Sequence, residues 1–255
     1  MSASPSPFSL SGTFVVTGGT RGIGRAISKQ FARAGAHVVA NYIRNERAAQ
    51  ELQSEANREG LVLTLCRADL STPDGIARVE TMVRDTSAAL AGIVHCAATG
   101  THRAVEALTS RHLEWTFALN ARALFELVTR MIGSFDRGGS ILAISSLGAT
   151  HSIEHYTAVG VSKGALEALV RHFATELAPR GIRANILRPG AVATDAWKAI
   201  PDAAARLEEA SRRSPLGRLV TAEEVAMCAQ FLCSPAASGV NGQSLVVDGG
   251  STLRA

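Results

Sequence analysis

The chain has 255 residues, 46% hydrophobic and 19% charged, with a formal net charge of +4. That length suits one large α/β domain or two small ones, and the apolar share is that of a chain that buries a full core. The modest, mostly arginine excess comes without a basic block or interleaved aromatics, which argues against a nucleic-acid binder, and no apolar run reaches the length of a bilayer span.

The opening Met1-Ser-Ala-Ser-Pro-Ser-Pro-Phe-Ser-Leu10 is a Ser/Pro arm without the basic and apolar regions of a secretory signal. Residues 1–10 are therefore expected to be flexible and 11–255 to form the fold. Thr13-Phe-Val-Val16 reads as an apolar strand, and Thr17-Gly18-Gly19-Thr20-Arg21-Gly22-Ile23-Gly24 follows at once. An amphipathic helix continues to about residue 34. Strand, Gly-rich turn and helix start together make a diphosphate site: glycines let the backbone approach the ligand, and free helix N–H groups hold the anion. A Gly-rich turn alone is often only a turn, but these flanks make the signal specific. Gly18, Thr20, Arg21, Gly22, Ile23 and Gly24 are the candidate cofactor contacts.

The next strand is His37-Val-Val-Ala-Asn41-Tyr42. An acidic residue usually ends such a strand when the ribose 2′-OH is free. Here no carboxylate precedes Glu46, and Arg21 with Arg44 can clamp a 2′-phosphate, unless both are plain surface arginines. NADPH or NADP+ is thus expected over the 2′-OH cofactor. A helix over 47–58 and a strand over 61–66 lead to Asp69-Leu70, where Asp69 either meets the adenine amino group or is a loop carboxylate. Pro73 opens another helix. Gly92-Ile-Val-His95-Cys-Ala-Ala98 is a strand and its exit. One long helix is expected over 110–135, interrupted only in polarity by Asn120, a core amide or part of a proton relay to Lys163.

A short buried strand over 139–144 then delivers Ser145 and Ser146, which should point to opposite faces. From about 156 to 177 apolar residues recur at helical spacing. Tyr156 and Lys163 are seven positions apart, about two turns, so both should project from nearly one face, roughly 10 Å apart along the axis. An ammonium beside a phenol favours ionisation, and such a phenol can donate to a developing oxyanion. The alternative is a core tyrosine and a solvated lysine. A strand over 183–187 ends in Arg188-Pro189-Gly190-Ala191-Val192-Ala193-Thr194, and Pro189, Gly190, Val192 and Thr194 lie where ligands bind in such sheets. Residues 196–213 read as a helical lid, with Trp197 shaping a pocket or anchoring the helix. Thr221 and Glu224 make a capping box for a helix to 233, and a strand over 243–247 ends the pattern. The four cysteines show no metal spacing and read as buried in a reducing, cytoplasmic compartment; no metal site is expected. Strands alternating with helices throughout mean one doubly wound, mostly parallel α/β sheet.

Thr17-Gly18-xxx-Gly22-Ile-Gly24, Asp69-Leu70, Asn120, Ile144-Ser145-Ser146, Ser162-Lys163, Arg188-Pro189-Gly190 and Val247-Asp248-Gly249-Gly250 together resemble the classical short-chain dehydrogenases/reductases over about residues 10–250. The resemblance implies a single Rossmann domain with a seven-stranded parallel sheet, a nicotinamide cofactor and usually a homotetramer. That family places its tyrosine four residues before the lysine, which here is Val159. The nearest phenol, Tyr156, gives Tyr-x6-Lys, a spacing that resembles the NADPH-dependent enoyl reductases of the enoyl-acyl-carrier-protein reductase III type. A second departure is His95-Cys96-Ala97-Ala98 where the family usually shows Asn-Asn-Ala. Moving the phenol back three residues shifts it by about 4.5 Å, in the sense an enoyl reductase needs, because its hydride goes to the β-carbon rather than to the carbon bearing the oxygen. The expectation is NADPH-dependent reduction of a 2-enoyl thioester, on coenzyme A or acyl carrier protein, with Tyr156, Lys163, Ser146 and Asn120 as catalytic residues. A ketoreductase and a non-catalytic NADP-binding protein are the alternatives.

Overall fold

The computed structural model describes residues 6–195, 197 and 202–253. The first strand, β1 (Thr13–Thr17), is buried at all five positions, as a strand covered on both faces must be. It lies in the middle of a seven-stranded sheet of order β3-β2-β1-β4-β5-β6-β7. The other strands are β2 (His37–Tyr42), β3 (Leu63–Arg67), β4 (Leu90–His95), β5 (Phe135–Ile144), β6 (Ile182–Pro189) and β7 (Ser244–Val247). Every pairing is parallel.

Helices cover both faces: α1 (Gly22–Arg33), α2 (Glu46–Glu59), α3 (Pro73–Arg84), α4 (Ser110–Phe117), α5 (Ala123–Met131), α6 (Thr157–Glu176), α7 (Ala203–Arg213) and α8 (Ala222–Cys233). Alternation along each strand builds two cores. Val15, Val39, Ile93, Ile141 and Ile186 meet Ile76, Leu124, Leu127, Leu166 and Val170 from α3, α5 and α6. Val16, Val38, Val94, Leu142 and Leu187 meet Ile27, Phe31, Leu52, Val225 and Leu232 from α1, α2 and α8. The strand order reverses between β1 and β4, so their C-terminal ends open the crevice where such sheets bind ligands. Among the described residues no helix is long and apolar enough to cross a membrane.

Four expectations need correction. The helix expected over 110–135 is α4, a π turn over Ala118–Arg122 and α5, and β5 already starts at Phe135. The extension of β5 is possible because Gly139 leaves room for the Phe135 ring. Tyr156 precedes α6 rather than riding on it: His155 sits at φ 59°, and Tyr156 at φ −110°, ψ 8°, is the N-cap. Residues 7–10 do not hang free. Pro7 O accepts from Ala236 N at 3.0 Å, Phe8 O from Gln230 Nε2 at 2.7 Å, and Leu10 is buried. Of the expected lid, residues 196 and 198–201 lie outside the described residues; α7 covers 203–213, and Trp197 anchors through Nε1 to Val192 O at 2.9 Å.

Candidate active site

The Gly-rich turn is shaped by contacts that a side chain would destroy. Gly18 and Gly22 have φ of 62° and 52°, and a Cβ on Gly24 would collide with Gly18 O. Arg21 is the N-cap of α1 without a side-chain capping bond, and the first turn holds no acidic residue. Gly24 N faces the Cys96 thiol, but no acidic side chain offsets the helix dipole or the leading N–H groups at Gly22 and Ile23, which fits an anionic diphosphate. Thr20 is buried within the turn. From the opposite side a Cβ on Gly22 would lie 3.4 Å from Thr194 Cγ2, so the loop after β6 does reach the turn. Val192 is buried in that loop, and Gly190 N donates to Val247 O at 2.9 Å, fixing the Pro189-Gly190 corner to β7.

Arg21 in the Gly-rich turn and Arg44 after β2 are exposed, and among the described residues neither guanidinium has a partner. Glu46 does not oppose them: it accepts from Tyr42 Oη at 3.0 and 3.1 Å and faces Arg67 at 3.7 Å. Asn41 is buried and spends its amide on Cys66 O and Ala68 O, tying β2 to the exit of β3. Asp69 is a loop carboxylate whose Oδ1 accepts from Ser71 N at 2.9 Å and Ser71 Oγ at 2.6 Å, with Oδ2 left over. The Leu70 side chain is in the core.

Sequence reasoning missed the group that joins β1 to β4. His95 is fully buried, with Nδ1 3.0 Å from Thr17 Oγ1 and Nε2 3.1 Å from Leu119 O. A carbonyl only accepts, so Nε2 carries the proton and Nδ1 accepts the Thr17 hydroxyl. Thr17 Oγ1 in turn accepts from Cys96 N and Ala97 N, both at 3.0 Å. Burial, and then the Lys163 charge, push the His95 imidazole down to about 3, so it stays neutral. The signal was present: an imidazole inside an apolar strand has to find partners.

Tyr156, Ser146 and Lys163 converge at the end of β5. Tyr156 Oη donates to Ser146 Oγ at 3.2 Å, and Lys163 Nζ donates to Ile144 O at 2.7 Å. Burial lowers the Lys163 ammonium to about 8, against the pull of Cys96 and Glu167. Lys163 is not among the groups that shift the phenol in the cofactor-free chain. Burial raises the Tyr156 phenol, and its one counterweight is the bond to Ser146. The reason is geometric, since the residue before the first helical turn departs from the helical face on which Lys163 lies. Ser145 indeed points the other way, donating to Glu167 Oε1 at 2.6 Å. Glu167 is 3% exposed and paired with Arg188 at 2.6 Å, a buried ion pair that sequence reasoning did not foresee.

Asn120 holds the exit of β4, as a core amide does. Its Oδ1 accepts from Thr99 N at 2.8 Å, and Nδ2 donates to Thr99 O and Ser162 Oγ, both at 2.9 Å. Val159, at the position of the classical tyrosine, is 6% exposed and lies directly beneath the Gly100 main chain; a Cβ on Gly100 would collide with Val159 Cγ2. The phenol that remains accessible is Tyr156, with the His102 ring against it at a centroid distance of 5.4 Å. A Cβ on Gly148 would reach the same ring at 2.5 Å, so a glycine is required there.

Residues 18–252 match the family model described as enoyl-(acyl carrier protein) reductase. The chain is 31% identical over 241 residues to the 1-cyclohexenylcarbonyl-CoA reductase of Streptomyces collinus, covering 94% of this chain and 86% of that one. Among solved structures it is similar to LugOII, a reductase described as catalysing keto-reduction at C1 during lugdunomycin biosynthesis (31% identity, 98% and 100% covered, TM-score 0.88). It is also similar to the L-sorbose reductase of Gluconobacter frateurii complexed with NADPH and L-sorbose (27% identity, 98% and 100% covered, TM-score 0.90).

Proposed function

We propose a function for a chain that belongs to the short-chain dehydrogenase/reductase family: NADPH-dependent reduction of the carbon–carbon double bond of a 2-enoyl thioester. The coarser statement, an oxidoreductase of this family that uses a nicotinamide cofactor, follows from membership and from relatives holding that cofactor. The observation that carries the finer reading is the closed position 159. Its side chain is a valine under the Gly100 main chain, so the available phenol is three residues earlier. A thioester relative at 31% identity supports the same reading.

The bound cofactor supplies the hydride; the chain supplies everything that positions it and receives the charge. The first turn of α1 holds the diphosphate. Arg21 and Arg44 pair with the 2′-phosphate. Lys163 keeps two N–H bonds beyond the one given to Ile144 O, and with them binds the nicotinamide ribose. Tyr156, held by Ser146, donates to the thioester oxygen as it takes up negative charge, a bond that strengthens toward the transition state. The acyl carrier is coenzyme A or acyl carrier protein, and the working assembly is a homotetramer.

The keto-reducing relatives favour a second reading, carbonyl reduction through the same phenol. NADPH oxidation measured in parallel with a 2-enoyl and a 3-oxoacyl thioester decides between them: the enoyl substrate is expected to be faster, and turnover of the 3-oxo substrate alone overturns the proposal. NADPH should bind about tenfold tighter than NADH, a difference of about 1.4 kcal/mol. Arg44→Asp should weaken NADPH much more than NADH, and equal dissociation constants in the parent protein would refute the assignment of the two arginines.

A further inference from the structure

Either reduction adds one proton to the product besides the hydride, and the phenol that hands it over has to be recharged. Among the described residues no hydrogen bond joins Lys163 or Asn120 to it directly. Lys163 donates to Ile144 O, and the Asn120 amide serves Thr99 and Ser162. Among the described residues the Tyr156 hydroxyl has one hydrogen-bond partner, Ser146, which is not an acid. The His102 ring lies against the phenol ring.

The segment between β4 and α4 fixes that imidazole from both directions. Thr99 is bonded twice to Asn120, Gly100 rests on Val159, and Arg103 N donates to His155 O at 3.1 Å. The ring is half-buried against Tyr156, tilted by 41° at 5.4 Å. Neither ring nitrogen has a hydrogen-bond partner among the described residues. Arg206 faces it from α7, and Glu154 lies 4.0 Å from that guanidinium and 3.5 Å from His155.

We propose that His102 is the proton donor that restores Tyr156 in each turnover. This rests on the reading of Tyr156 as the group that donates to the substrate oxygen: its proton ends on that oxygen in carbonyl reduction, or on the α-carbon of the enolate in enoyl reduction, and a phenolate is left either way. The imidazolium N–H bond breaks and the phenolate O–H bond forms, through one bridging water. The neutral imidazole then takes a proton from solvent or a buffer acid. Burial, and then the Arg206 charge, hold the His102 imidazole below its ordinary value. Neutral imidazole binds a proton less tightly than phenolate, so the transfer runs downhill. The limb of the kcat profile that belongs to His102 therefore falls as pH rises through a value below 6.5, and loss of the Arg206 charge moves it to higher pH.

The test compares the parent with His102→Phe, which keeps an aromatic ring on Tyr156, and with Arg206→Gln, using whichever substrate the parent turns over. His102→Phe is expected to lose about 10²-fold in kcat, near the lower end for a positioned proton donor, with NADPH affinity within about twofold. Added imidazole should restore part of that rate without affecting the parent, and Arg206→Gln should shift the limb upward. A His102→Phe rate within about twofold of the parent from about pH 5 to pH 9 overturns the proposal. So does a loss that imidazole does not rescue, or an Arg206→Gln profile that superimposes on the parent. Tyr156→Phe run alongside separates the two ideas: full activity there removes the role of the phenol, whereas a lost rate there with His102→Phe unaffected removes only His102.

Discussion

Lys163 carries a charge that the fold resists. Its ammonium is buried and lowered from 10.5 to about 8. The unfolded chain therefore holds one more proton than the native one between about 8 and 10.5, so this residue makes the cofactor-free protein more stable as pH rises through that window. NADPH affinity should move oppositely, weakening above about 8 as the ammonium that faces the cofactor is lost. Urea midpoints and NADPH titrations across this range check both slopes. Tyr156→Phe removes only a hydroxyl and should lower the proposed enoyl reduction by about 10²–10⁴-fold with little change in cofactor affinity. Val159→Tyr in that background should not rescue it. A phenol there must displace the Gly100 main chain, and overpacking of this kind costs about 1–3 kcal/mol; a urea midpoint equal to the parent's would contradict this. The types and spacing of Tyr156, Ser146 and Lys163 were legible in the sequence. That the phenol sits one residue outside the helix was not, because apolar periodicity does not mark a helix end to within a residue.

At the scale of elements, the strands and most helices were legible from apolar runs, and the α8 capping box appears as expected, with Thr221 and Glu224 exchanging bonds. The stretch over 110–135 was misread because a π turn adds one residue without disturbing the apolar pattern on either side. What holds that turn is Asn120, whose partners Thr99 and Ser162 come from other parts of the chain and leave no local mark. Asn120→Ala would strand the Thr99 N–H and its carbonyl. The expected loss is about 1–3 kcal/mol, with faster amide exchange at Thr99. An unchanged urea midpoint would show that the π turn is held by packing alone. His95 showed in the sequence as an imidazole in need of partners, but which partner was hidden, since Thr17 lies 78 residues away.

At the scale of the whole molecule, α4, α5 and α6 still present Leu113, Trp115, Phe117, Phe125 and Val161 to solvent in the single chain. Apolar groups gathered on neighbouring helices mark an association surface. Within the proposed homotetramer they pack across two-fold axes, and light scattering at micromolar protein should return a tetramer mass; a monomer mass refutes it. The central place of β1 has a different consequence, in time rather than space. β1 is the first strand made, yet its second neighbour, β4, begins at Leu90 and brings His95 to Thr17 only after many intervening residues. Loop closure over such separations is costly before its contacts form. On the ribosome the opening strand must wait, paired on one edge with β2 and bare on the other, until the fourth strand emerges. The Thr17 hydroxyl is then a latch set late, and late contacts govern how slowly a fold comes apart more than how quickly it assembles.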